Sequence, residues 1–140
     1  MRTKAAMLLV AGVLGATLGA APPAGANVTV IMAMPGAAVQ GHPAPYGLSY
    51  AGTQSGTALT FVNLDALSGH NVTAKNSFGS PDQPWCEQFA PGPCPLFWSE
   101  TVEVGTATPI LGTELLRPAA LYAFVCTVHP SWMTGQILAA

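Results

Sequence analysis

Leu121-Tyr122-Ala123-Phe124-Val125-Cys126-Thr127-Val128-His129-Pro130-Ser131-Trp132-Met133-Thr134-Gly135-Gln136-Ile137-Leu138 sets two β-prone runs on either side of a short loop. In an extended chain successive side chains alternate, so Tyr122, Phe124 and Cys126 share one face of the first run. A turn follows, and Thr134 to Leu138 forms the second run. The loop between holds a thiol, an imidazole and a thioether within eight residues. A strand, a ligand-rich turn and a returning strand make a β architecture the natural reading.

The rest of the chain agrees. After the N-terminal region no long segment carries a 3.6-residue apolar period, and Gly and Pro recur every few residues. Strands are predicted over Val28–Met34, Ala58–Leu64, His70–Ala74 and Glu100–Val104, besides the two runs above. Within Ala58–Leu64, residues Leu59, Phe61 and Asn63 fall on one face. Short strands at this spacing, separated by turn residues, predict an all-β Greek-key β-sandwich. Pro35–Gly56 reads as an irregular connection. Asn76–Pro95 reads as a long excursion containing Cys86 and Cys94. These two cysteines most simply pair with each other, which leaves Cys126 unpaired.

The first 26 residues read as a signal peptide. Arg2 and Lys4 precede an uncharged Ala/Leu/Gly run, and Ala24-Gly25-Ala26 gives the small-residue pattern that a signal peptidase accepts. The expected mature domain is 27–140, exported to the periplasm or the cell exterior and not inserted in a membrane; an uncleaved anchor is the alternative. Removing the signal leaves Lys75 and Arg117 against six carboxylates, a net charge of −4 with histidines neutral. Two scattered cations cannot neutralise a phosphate backbone, which argues against a nucleic-acid partner. Export also makes disulfides possible, and a free thiol in that setting calls for a function.

Thiolate and imidazole suit copper in both oxidation states, and a thioether favours the cuprous ion. The loop offers Cys126, His129 and Met133. A trigonal His2Cys site with a weak axial Met needs one more histidine, and His70, opening a predicted strand, is the candidate. The competitor, His42, lies in Gly41-His42-Pro43-Ala44-Pro45 and reads as an exposed turn histidine. Met32 and Met34 read as core or edge packing. Trp132 either packs under the site or forms its rim.

The matching residues Asn63-x-Asp65, Gly69-His70-Asn71-Val72, Tyr122-x-Phe124-x-Cys126-x-x-His129-Pro130 and Met133-x-Gly135-x-Ile137 resemble the plastocyanin/azurin family of blue copper proteins. The ligand loop is most similar to the short-loop members, amicyanin and pseudoazurin. The resemblance implies one type 1 copper ion with His70, Cys126 and His129 as equatorial ligands and Met133 as the axial one. It also implies that Asn71 braces the two ligand loops near the Cys126 sulfur. The implied function is electron transfer between redox protein partners, by a monomer that is not an enzyme. Copper binding or delivery without electron transfer is the alternative. A zinc site and a structural sandwich with one buried thiol also stay open, whereas a multicopper enzyme would need more histidines than His42 can add. The sequons at Asn27 and Asn71 are weak signals, and Asn71 lies too close to a ligand to be modified readily.

Overall fold

The computed structural model describes residues 29–47 and 50–140, so the predicted signal peptide and the Asn27 sequon lie outside the described residues. Among the described residues seven strands follow one another: β1 (Val30–Ala33), β2 (Tyr50–Thr53), β3 (Leu59–Asn63), β4 (Thr73–Ala74), β5 (Ala107–Ile110), β6 (Ala120–Val125) and β7 (Thr134–Ala139). They form a three-stranded sheet in the order β1-β3-β5 and a four-stranded sheet in the order β2-β7-β6-β4. β1 runs parallel to β3 and β2 parallel to β7, while the remaining pairs are antiparallel. From β1 to β6 the chain changes sheet at every step, which gives the sandwich its crossed connections and confirms the all-β expectation. Helix is confined to two 3₁₀ turns, Cys86–Phe89 and Thr113–Leu115, among the described residues.

Alternation decides what faces inward. Leu59, Phe61 and Asn63 of β3 are buried, and so are Gly135, Ile137 and Ala139 of β7. The inner faces meet around Tyr46, Phe61 and Phe124. Tyr46 makes edge contacts with Phe124 at 4.9 Å and Phe61 at 6.4 Å between ring centroids, the arrangement that opposed ring quadrupoles favour. Phe124 lies directly over Gly135, its cross-strand partner, where any Cβ would overlap the ring. Ile31 and Ala33 of β1 also point into the core, whereas Met32 is 37% exposed and Met34 lies against Gly47. The two methionines are thus edge packing rather than ligands.

Three predicted boundaries are corrected. The run Glu100–Val104 forms only a bridge between Val102 and His70, and the strand beside β3 is β5, which begins at Ala107. Pro109 hid it, because proline suits only an edge strand, and β5 is an edge. Strand β2 lies inside the stretch read as irregular; its Tyr50-Ala51-Gly52-Thr53 has a weak pattern and is ordered by pairing with β7. The run His70–Ala74 is regular only at its last two residues. Cys86 and Cys94 are disulfide-bonded with 5.0 Å between their Cα atoms, and Cys126 is free and buried, as expected.

Candidate metal centre

Cys126 is the first residue past β6, so the β6–β7 ladder fixes its backbone. Its N–H donates to Met133 O at 2.9 Å, which carries the ladder one step beyond the last strand pair and closes the loop. Inside the loop, the N–H groups of His129 and Met133 donate to Cys126 O and His129 O, at 3.2 and 3.1 Å. These bonds turn the His129 imidazole back over Cys126. The Met133 side chain is fully buried in the same core cluster as Cys126.

His70 reaches the same point from the other side. Its backbone exchanges two hydrogen bonds with Val102, and its side chain is completely buried. The turn that leads to it is built by Asn63, whose amide donates to Val102 O at 2.8 Å and Ser68 O at 3.0 Å while its oxygen accepts from Asp65 N–H at 2.9 Å. A polar residue at the inward end of β3 therefore leaves none of these groups unpaired.

The donor atoms of His70, Cys126 and His129 lie within 4.8 Å of one another. His70 Nδ1 is 3.7 Å from Cys126 Sγ, and the two histidine rings are 4.9 Å apart at 49°. Metal bonds of about 2.0–2.3 Å separate two ligands of a trigonal ion by roughly 3.5–3.8 Å, so the spacing fits a shared ion. Two further observations test the fit. His129 Nδ1 is buried with no hydrogen-bond partner, a cost that a metal bond would remove. His70 Nε2 lies 2.8 Å from Asp65 Oδ2. A carboxylate accepts there, so the ring proton sits on Nε2 and the Nδ1 lone pair faces Cys126.

Electrostatics hold these groups in ligating form. Burial would raise the Asp65 carboxyl, but bonds from His70 and the N–H groups of Leu67, Ala38 and Gly36 outweigh it and hold the pKa at about 2. Burial, and then the neighbouring His70, lower the His129 imidazole below the ordinary histidine value of 6.5, with Asp65 partly opposing them. Tyr46 lies close to the thiol; its phenol donates to Asn71 O at 2.6 Å, and burial followed by Cys126 keeps it protonated.

Trp132 packs against His129, with 5.1 Å between ring centroids, and its indole N–H donates to Ala37 O at 3.2 Å. It does double duty, supporting the ligand and lining a surface groove with His42, Lys75 and Gln136. His42 lies outside the donor cluster and is half-buried, its Nδ1 accepting from Ala44 N–H at 3.2 Å. Asn71 is 3% exposed, so the folded chain does not present its sequon at the surface. Sequence reasoning gave no role to Asp65 or Tyr46; an acidic residue five positions before a ligand histidine was the available signal for the first.

Among solved structures the chain superimposes on a purple cupredoxin from Nitrosopumilus maritimus over 80% of its own length and 99% of that chain, with 18% identity and a TM-score of 0.58. The chain has the cupredoxin fold. An oxidised mutant of amicyanin matches 81% of this cupredoxin-fold chain and 83% of its own, at 18% identity and a TM-score of 0.51. A Cu-containing nitrite reductase from Thermus scotoductus matches 81% of the chain but only 22% of its own length, at 16% identity and a TM-score of 0.50. No family model and no curated protein matches the sequence. With the cupredoxin fold and this donor cluster together, His70, Cys126, His129 and Met133 fit a type 1 copper ligand set.

Proposed function

We propose that this chain is an exported electron-transfer protein that carries one copper ion, held by His70, Cys126 and His129 with Met133 as a weak axial ligand, and serves redox protein partners as a monomer. The observation that carries the reading is the convergence of two imidazoles and an unpaired thiol within 4.8 Å, in a site where His70, Cys126 and Met133 have no solvent exposure. Copper, when bound, supplies a one-electron couple. The chain's part is to hold the donors still. His70 is locked by Val102 and Asp65, and Cys126 by Met133 O, so little has to rearrange between oxidation states. Burial of three donors keeps water from the ion.

A non-enzymatic role is favoured because three protein donors converge with Met133 buried in the same core cluster, and among the described residues His42 is the only other histidine. Export is favoured by the N-terminal Arg2/Lys4 pair, the apolar run and Ala24-Gly25-Ala26, together with the Cys86–Cys94 disulfide.

Cupric titration followed by absorption spectroscopy is the test. One equivalent should give an intense visible band from thiolate-to-copper charge transfer, and Cys126→Ser should remove it while the sandwich stays folded. A colourless cupric complex of the unmutated protein would exclude this type of site. An intense band combined with rapid loss of the metal to a chelator would favour copper delivery over electron transfer.

A further inference from the structure

Asp65 is the only carboxylate buried among the described residues, and no lysine or arginine pairs with it there. Its partners are all donors or able to donate: Gly36 N–H at 3.1 Å, Ala38 N–H at 2.7 Å, Leu67 N–H at 3.0 Å and His70 Nε2 at 2.8 Å. The three backbone groups can only donate. A carboxyl proton would have to go to His70 Nε2, and that would move the imidazole proton to Nδ1, against the Cys126 sulfur. The geometry favours the carboxylate.

A buried anion without a cationic side chain is costly unless dipoles or a metal compensate it. Three backbone dipoles compensate in part. The remaining compensation is available only through His70, toward the donor cluster. Asp65 also reaches the second histidine. The loop it gathers at Gly36 and Ala38 presents the Ala37 carbonyl to the Trp132 indole, and Trp132 packs on His129. One carboxylate thereby ties together the supports of both imidazoles.

Resting on the copper reading above, we propose that Asp65 is a positioning residue that supplies the site's second buried negative charge. It fixes His70 with Nδ1 unprotonated and biases the site toward the cupric ion. Cys126 as thiolate and Asp65 as carboxylate together match the double charge of Cu(II), whereas Cu(I) leaves one negative charge in excess. Neutralising Asp65 should therefore weaken Cu(II) more than Cu(I).

The test uses the copper-loaded full chain with Asp65→Asn and Asp65→Glu. The Asn variant should raise the ratio of the Cu(II) to the Cu(I) dissociation constant at least tenfold, an upward shift in reduction potential of about 59 mV. The Glu variant, which keeps the charge, should stay nearer the parent. An Asn variant that keeps the charge-transfer band with a ratio within twofold of the parent would overturn the proposal. A readout without copper guards against variants that fail to fold: ring-nitrogen NMR of the unmutated, metal-free chain should find the His70 proton on Nε2. A proton on Nδ1 would overturn the positioning claim even if copper binding holds. Failure of the copper reading would show separately, as absence of the charge-transfer band in the parent.

Discussion

The side chain of Asn71 clasps Thr127: its amide donates to Thr127 Oγ1 at 2.6 Å, and its oxygen accepts from Thr127 N–H at 2.9 Å. Each residue directly follows a ligand, so the pair locks the His70 segment to the Cys126 loop without touching the metal-binding atoms. A third bond, to Thr101 Oγ1 at 2.9 Å, extends the brace to the neighbouring segment. The expectation that Asn71 braces the two loops is met through Thr127 rather than through the sulfur itself.

Removing this clasp should loosen the site more than the fold. Asn71→Ala deletes three hydrogen bonds, two of them to the partly solvated Thr127, so a cost of about 1–3 kcal/mol is expected. Denaturant unfolding of the metal-free protein measures that cost. In the copper form the same variant should exchange its metal faster with a chelator. An unchanged exchange rate would mean that the loops are held together by the ligands alone.

The disulfide closes a short loop, and its two cysteines with the preceding Trp85 form a buried cluster separate from the main core. Trp85 N–H donates to Pro95 O at 3.0 Å, and its ring lies where a Cβ at Gly112 would have to go. Replacing both cysteines with alanine should lower stability by about 2–3 kcal/mol through loop entropy, with the copper spectrum unchanged because Cys126 takes no part. Peptide mapping after unfolding should show Cys126 as the alkylatable thiol, with Cys86 and Cys94 joined to each other.

The depressed His129 pKa has a direct consequence for the metal-free chain. Below pH 6.5 an unfolded chain takes up a proton at this histidine while the folded one does not, so stability should fall as the pH drops from 6.5 toward the folded-state value. Asp65 acts in a different window. Its stabilisation is complete above the unfolded carboxylate value of 3.8 and is lost as pH falls toward about 2. Unfolding midpoints at pH 7.5 and 5 should therefore differ in the parent and converge in His129→Asn. A difference that survives the substitution would assign it to another group.

The loop Cys126–Met133 was legible because its chemistry is local: a strand end, a turn and three ligand types close together in sequence. His70 was legible because few histidines exist to complete the set. What stayed hidden depends on long-range partners. Asp65 gains its meaning from Gly36, Ala38 and His70, and Tyr46 from Phe124 and Asn71, all brought together only by the fold. Strand β2 lacks a local signal because its order comes from β7, and β5 was obscured by Pro109.

Axial identity tunes a copper potential, and a thioether favours the cuprous ion more than an amide oxygen does. Met133→Gln should keep the coloured site and lower its potential in a redox titration. An unchanged potential would mean that Met133 serves only as packing in the core cluster it shares with Cys126 and Phe124.

Electrons should pass through the surface around His129. Pro130 and Ser131 are exposed beside it, and Val128 is 46% exposed in the same loop. Leu67, 66% exposed, sits on the turn that Asp65 holds next to His70. An apolar rim lets a partner's cofactor approach while water is expelled from the contact. The competing surface is the groove shared by Trp132, His42 and Lys75, which could receive an acidic partner. Pro130→Glu should slow transfer to a redox partner without altering the absorption spectrum, and Lys75→Glu should leave the rate nearly unchanged. The reverse pattern, with a rate that falls steeply as salt is added, would move the contact to the groove.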